Sequence, residues 1–177
     1  ELKIVSDNTI RQEGLKIYTA LDINAQTSLE NSIKNNLDGD DEIQVSSVMM
    51  NPNNGEIIAL IGGKDYSKSQ YNRATDSKRQ VGSTIKPLIY YNALKNGFTA
   101  SSTFLSERTT FNLGNETYSP RNANNIYANQ NITMLSAIAY SDNIYAMKTH
   151  LFLGTEMLPK LAQIIGIKTQ IKNVASS

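Results

Sequence analysis

The chain has 177 residues, 40% of them hydrophobic, and its 17 basic and 16 acidic side chains leave a formal charge of +1. That supplies a core for one domain or a large part of one; it argues against disorder and, with no basic block interleaved with aromatics, against nucleic-acid binding. With no cysteine and a single histidine, His150, thiol catalysis, disulfides, cysteine-ligated metals and histidine-rich metal sites are excluded.

A Ser-His-Asp triad would need His150, which sits beside Lys148 and Thr149 in an ordinary helical stretch and reads as a structural or surface residue. No segment approaches the roughly 20 apolar residues of a membrane span. Glu1-Leu2-Lys3 does not open a signal peptide, so the targeting part of an exported protein would lie outside this sequence.

Gly14 to Leu21 alternates apolar and polar residues and predicts a short strand. Asp22 then reads as the N-cap of a helix carrying Ala25, Leu29, Ile33 and Leu37 at i+4 spacing, which stops at Asp38-Gly39-Asp40. From Ile43 to Met50 and again from Glu56 to Ile61 the pattern is strand. Asn51-Pro52-Asn53-Asn54-Gly55 between them predicts a hairpin, because Asn and Gly both tolerate positive φ. Gly62-Gly63 ends the second strand and permits close backbone packing. Lys64 to Lys78 is polar and aperiodic and predicts a surface loop, in which Tyr71-Asn72-Arg73-Ala74 either lines a site or anchors the loop.

Arg79-Gln80-Val81-Gly82-Ser83-Thr84-Ile85-Lys86-Pro87 follows, where a loop turns into a helix. Gly82 permits a tight turn, and Pro87 lacks an amide proton that a first helical turn leaves largely unpaired anyway. Three residues apart on a helix, Ser83 and Lys86 lie on one side, which puts a base within reach of a hydroxyl. A helix N-terminus also favours a developing oxyanion. Ser-x-x-Lys alone proves little, since a chain of this length yields on the order of one chance match. The helix runs through Leu88, Tyr91 and Leu94, its apolar body, to a stop at Asn96-Gly97.

Phe98 to Gln130 reads as irregular, apart from a small hairpin from Thr109 to Tyr118 turning at Gly114-Asn115; Ser119-Pro120-Arg121-Asn122 reads as loop. Thr133 caps an apolar, central helix from Met134 to Tyr140. Ser141-Asp142-Asn143 separates it from a helix that starts at Ile144 and stops at Gly154, and Thr155 caps a last helix reaching Gly166. The triplet either caps helix ends or projects a hydroxyl and an amide into a cleft.

An ordered Ser-Asp-Asn is expected by chance in only roughly a few per cent of such chains, so its presence downstream of Ser-x-x-Lys is informative. The two motifs, with Lys-Thr-Gly, form the signature of penicillin-binding proteins and class A β-lactamases. Gly14-Leu15-Lys16-Ile17-Tyr18-Thr19-Ala20-Leu21-Asp22, Asn51-Pro52-Asn53-Asn54-Gly55-Glu56-Ile57-Ile58-Ala59, Tyr71-Asn72-Arg73-Ala74 and the Ser83 segment extend the likeness over nearly the whole chain. The sequence resembles class A, bifunctional penicillin-binding proteins.

That resemblance implies an α+β penicillin-binding transpeptidase fold, a five-stranded antiparallel sheet flanked by helices, present only in part. Residues 1–37 would be the linker from an absent glycosyltransferase domain and residues 38–177 the N-terminal part of the transpeptidase domain. It further implies a serine-type peptidoglycan D,D-transpeptidase with Ser83 as nucleophile, Lys86 as its base, Ser141 as proton relay and Asn143 as substrate-binding residue, requiring no cofactor and no metal. Its partners would be stem peptides ending in D-Ala-D-Ala and β-lactams. It would work at the extracytoplasmic face of the bacterial cell membrane, held by an anchor outside this chain.

The third motif is missing, because Lys168-Thr169-Gln170 lacks the glycine that lets substrate backbone approach and follows Ser-Asp-Asn too closely. It reads as an accidental look-alike. The C-terminal half of the domain is therefore expected as a separate chain or a missing segment. Two rival readings are a β-lactamase, for which Glu156 is the only glutamate after Ser141 but is too near the triplet, and a β-lactam sensor or non-catalytic module.

Overall fold

In a computed structural model of the chain, which describes residues 16–37, 39, 42–114 and 116–171, Asp22 opens the first helix. Its Oδ1 accepts the main-chain N–H groups of Asn24 and Ala25 at 2.8 and 3.1 Å, satisfying amides that a helix start leaves unpaired. Helix α1, Ile23–Leu37, turns Ala25, Leu29, Ile33 and Leu37 to its half-buried side, as the i+4 spacing requires. The strand expected over Gly14 to Leu21 does not form. Residues 16–22 have no regular structure, and Gly14 and Leu15 lie outside the described residues. Alternation makes a strand only where a neighbour pairs with it, and Ile17 and Tyr18 stay exposed.

The chain folds as two compact units, Glu1–Arg79 and Gln80–Ser177. In the first, β1, Ser47–Met50, pairs antiparallel with β2, Ile57–Ile61, with Ser47 opposite Ile61 and Met49 opposite Ala59. The strand expected from Ile43 begins only at Ser47. The connection is wider than a two-residue turn: Asn51 N–H donates to the Glu56 carbonyl and Gly55 N–H to the Asn51 carbonyl, both at 2.8 Å. Gly55 takes positive φ, 75°, whereas Asn54 does not.

The outer edge of β2 would carry unpaired main-chain groups, and α1 covers it. Asp22 N–H donates to the Ile58 carbonyl at 2.9 Å. The Gln26 amide donates to the Leu60 carbonyl at 3.2 Å and accepts the Leu60 N–H at 2.9 Å, as a neighbouring strand would. Beyond β2, Gly62 approaches Asn72 so closely that a Cβ there would lie 2.8 Å from the Asn72 Cα. Arg73 N–H donates to the Gly62 carbonyl at 3.0 Å, and the Arg73 guanidinium reaches the Tyr71 carbonyl at 3.1 Å. These bonds make Tyr71-Asn72-Arg73-Ala74 an anchor of its loop.

In the second unit, a 3₁₀ turn, Gly82–Ile85, runs into α2, Lys86–Lys95, with Pro87 in its first turn and Gly82 at φ 55°. Helix α2 buries Lys86, Ile89, Tyr90, Asn92 and Ala93. The expected apolar body of Leu88, Tyr91 and Leu94 is therefore on the wrong face; Tyr91 and Leu94 are about half exposed. Gly97, at φ 91°, ends the helix as expected, and Phe98 N–H closes back on the Ala93 carbonyl at 3.0 Å.

The stretch expected to be irregular contains β3, Thr103–Ser106, which pairs antiparallel with β6, Gln130–Thr133. Strands β4, Phe111–Leu113, and β5, Glu116–Tyr118, form the expected small hairpin. The described strands pair two by two, so the sheet implied by the resemblance is present only in pieces. Thr133 caps α3, Met134–Ala139, accepting the Ser136 N–H at 3.2 Å. That helix is less central than its composition suggests, since only Met134 and Ala137 are buried. Helix α4, Asn143–Leu153, ends at Gly154, and α5, Met157–Ile164, starts after Glu156 rather than being capped by Thr155.

Around α4 lies the core of this unit: Tyr90, Ala93, Met134, Ala137, Tyr145 and Ala146 are buried, with Phe98, Phe104, Ile132 and Leu153 packed against them. Phe104 meets Tyr145 edge to face at 5.2 Å between centroids, and each such large side chain contributes about 1.5–3 kcal/mol by leaving water. This packing fixes the face of α2 that carries Lys86 against the start of α4.

Candidate active site

Helix α3 ends in a way that determines the site. Ser141 takes φ 52°, Ser141 N–H donates to the Ile138 carbonyl at 3.2 Å and Asp142 N–H to the Ala137 carbonyl at 2.9 Å. This is a Schellman closure with serine where glycine is usual. The left-handed residue reverses the chain at once, so α4 starts two residues later.

Asp142 caps α4 by accepting the Tyr145 N–H at 2.7 Å on Oδ1. Its Oδ2 accepts the Ser106 hydroxyl at 2.5 Å and the Asn122 amide at 2.7 Å. A carboxylate only 5% exposed thus has donors on both oxygens, and it stands at the positive end of a helix. The triplet caps a helix and also faces a neighbouring side chain.

That side chain is Lys86. Its Nζ donates to the Ser141 carbonyl at 2.6 Å, to Ser141 Oγ at 2.9 Å and to Asn143 Oδ1 at 2.5 Å. Burial holds the Lys86 amine below the ordinary lysine range, and the charge of Asp142 acts in the opposite direction. Tyr90, one turn further along α2, is buried and its hydroxyl has no hydrogen-bond partner among the described residues. Burial, then Asp142 and Tyr145, push its phenol up, so it stays neutral and brings no charge to the lysine.

Ser83 stands in the exposed 3₁₀ turn, where its carbonyl accepts the Lys86 N–H, and among the described residues its hydroxyl has no hydrogen-bond partner. A cavity of about 270 Å³ has Ser83, Lys86 and Asn143 in its wall, together with Tyr118, Pro120 and His150. A hydroxyl, a lysine of lowered basicity and a fixed carboxamide therefore share one concave surface. Such a set can carry nucleophilic acyl chemistry. His150 is buried in the last turn of α4, so of its two expected readings the surface one falls away. Among the described residues there is no group of three or more His, Cys, Asp or Glu side chains that could hold a metal ion.

Lys168, Thr169 and Gln170 are exposed and on no strand, in keeping with an accidental likeness. Glu156 packs its carboxylate against Gly154 and does not line the Ser83 cavity. Three contributors escaped the sequence reading: Ser106, Asn122 and the charge of Asp142. The first two lie in segments without periodicity, and their role comes from pairing across the fold.

Residues 45–176 match the family described as penicillin binding protein transpeptidase domain, and the chain belongs to that family. Penicillin-binding protein 2D of Bacillus subtilis (strain 168) is 46% identical over 169 residues, 94% of this chain and 24% of that protein. The chain thus spans about a quarter of the length of this relative. A crystal structure of penicillin-binding protein 1A from Haemophilus influenzae superposes with a TM-score of 0.65 at 34% identity, over 70% of this chain and 18% of that one. The penicillin-binding protein PonA1 from Mycobacterium tuberculosis shares the fold with a TM-score of 0.77 at 23% identity, over 93% of this chain and 42% of that one. The penicillin-binding transpeptidase fold is therefore the fold of this chain, in part.

Proposed function

We propose that this chain carries the nucleophile-bearing part of a peptidoglycan D,D-transpeptidase that β-lactams acylate. The observation that carries the reading is Lys86, held by Ser141 and Asn143 in the wall of the cavity that also contains Ser83. Ser83 Oγ attacks the carbonyl between the two terminal D-alanines of a stem peptide, and its proton passes to the neutral amine of Lys86. An Oγ–C bond forms, the C–N bond breaks, and the proton reaches the departing D-alanine nitrogen by way of the Ser141 hydroxyl. The Ser83 N–H serves as one donor to the oxyanion, and Asn143 holds the substrate amide. An amine of a second stem peptide then attacks the ester carbon; the cross-linking C–N bond forms, the C–Oγ bond breaks, and the amine's proton returns to Ser83 Oγ.

The lowered basicity of Lys86 supports its part, because a lysine must be neutral for some of the time to accept a proton. The missing oxyanion donor would come from a Lys-Thr-Gly-bearing strand outside these residues, so this segment alone would be inactive. On the same reading, residues 1–37 are the connection from a glycosyltransferase domain and residues 38–177 begin the transpeptidase domain. The whole protein would work at the extracytoplasmic face of the cell membrane, anchored by a segment outside this chain.

Labelling of the intact protein with a fluorescent penicillin tests the proposal. Stable label on Ser83, absent in Ser83→Ala, together with cross-linked muropeptides is the expected result. No label on Ser83 would overturn it; stable label without cross-links would make it a sensor, and rapid loss of label a hydrolase.

A further inference from the structure

Asn143 meets Lys86 with its amide in one orientation, and the cause lies in the loop after β5. A lysine ammonium only donates and a main-chain carbonyl only accepts. Asn143 offers Oδ1 to Lys86 Nζ at 2.5 Å and donates from Nδ2 to the Arg121 carbonyl at 2.6 Å. Turned over, the amide would set NH₂ against ammonium and oxygen against oxygen. Both contacts would become repulsive.

The next residue fixes the other end. Asn122 accepts the Asn143 N–H on Oδ1 at 2.8 Å and donates from Nδ2 to Asp142 Oδ2 at 2.7 Å. Its amide too has one consistent orientation, with an N–H on one side and a carboxylate on the other. Asn143 is the first residue of α4, so its N–H is one that the helix itself leaves unpaired. The side chain of Asn122 thus bridges Asp142 and Asn143 while the carbonyl before it holds the Asn143 amide.

We infer that Asn122 is a positioning residue: by binding the Asn143 N–H and the Asp142 carboxylate it ties its loop to the start of α4, so that the Arg121 carbonyl meets the Asn143 carboxamide with the amide oxygen on Lys86 and the lysine is held in place for proton transfer. The inference deepens the transpeptidase reading and rests on it. Asn122 touches neither substrate nor the reacting atoms; it acts through Asn143 and Asp142.

The test is the kinetics of Ser83 acylation by a fluorescent penicillin, across pH, in the intact protein and in Asn122→Ala, Asn122→Asp, Asp142→Asn and the double exchange Asn122→Asp/Asp142→Asn. Asn122→Asp alone opposes two carboxylates, and Asp142→Asn alone opposes two NH₂ groups. The exchange restores a donor facing an acceptor, and the Ser106 hydroxyl can turn to accept. Each single variant is expected to lower the acylation rate constant at least tenfold and to change its pH dependence, and the exchange to recover most of the loss. Asn122→Ala acylating at the wild-type rate constant and pH dependence, or a folded double exchange no faster than its slower parent, would overturn the inference. Should the unaltered protein take no label, the transpeptidase reading fails and hydrogen exchange decides this one. The Asn143 amide should exchange at least tenfold faster in Asn122→Ala, and an unchanged rate refutes the bridge.

Discussion

Lys86 donates to both the main-chain carbonyl and the hydroxyl of Ser141, at 2.6 and 2.9 Å, so one residue in left-handed backbone offers two acceptors to one amine. Only the conformation at φ 52° is costly, because a Cβ is crowded there and glycine would not be. Strain is therefore kept at the residue whose hydroxyl the proposed mechanism uses.

The two small replacements of Ser141 separate these effects. Both Ser141→Ala and Ser141→Gly lose the hydroxyl and should lose transfer, but Gly also relieves the backbone. Ser141→Gly should be more stable than Ser141→Ala by about 1 kcal/mol, read from denaturant unfolding. An alanine variant equal or superior in stability would show that no strain is held at this position.

The pH dependence follows from Lys86. Its folded value lies below the ordinary 10.5, so the unfolded chain binds the proton more tightly and burial of the ammonium costs stability at neutral pH. Stability from this group rises as pH climbs through the lowered folded value towards 10.5. Asp142 opposes the shift, so Asp142→Asn should lower the lysine further and move the acid limb of Ser83 acylation to lower pH. Lys86→Met should flatten the stability profile across that window. A limb that stays fixed in Asp142→Asn would mean that the carboxylate does not influence the base.

Ser106 is fully buried and gives its hydroxyl to Asp142 at 2.5 Å. Removing it in Ser106→Ala leaves Oδ2 with the Asn122 amide alone, and losing a hydrogen bond to a buried charge costs about 1.5–3 kcal/mol. Urea unfolding should show the midpoint falling without a change in slope. An unchanged midpoint would mean that the carboxylate is satisfied without it.

Local signals carried much of this fold. Asp22, Thr133, Gly97 and Gly154 mark helix ends where the structure has them, because capping is chemistry between near neighbours. Non-local pairing was illegible. Strand β6 opens on Gln130 and Asn131, weak strand formers that pair with Ser106 and Leu105 of β3. The site divides in the same way: Ser83, Lys86, Ser141 and Asn143 belong to short motifs, whereas Ser106 and Asn122 gain their role by meeting Asp142 across the fold. Periodicity also misjudged which side of α2 is buried, since Lys86 and Asn92 go inward with Ile89, Tyr90 and Ala93.

Gly62 offers a comparison with its own neighbour. A Cβ at Gly62 would lie 2.5 Å from Asn72 Oδ1, 2.7 Å from its Cγ and 2.8 Å from its Cα. The side chain cannot swing away freely, because Asn72 Oδ1 accepts the Ala74 N–H at 3.0 Å, and the Cα is main chain tied to Gly62 through the Arg73 N–H at 3.0 Å. At Gly63 the nearest atom is Arg73 Nη1 at 3.0 Å, the far end of a flexible side chain, with Gln44 Oε1 at 3.6 Å. Overpacking against main chain costs about 1–3 kcal/mol, so Gly62→Ala should lower the melting temperature clearly while Gly63→Ala changes it little. Equal melting of the two variants would show that the loop at Asn72 yields, and that its bonds to Gly62 do not hold it.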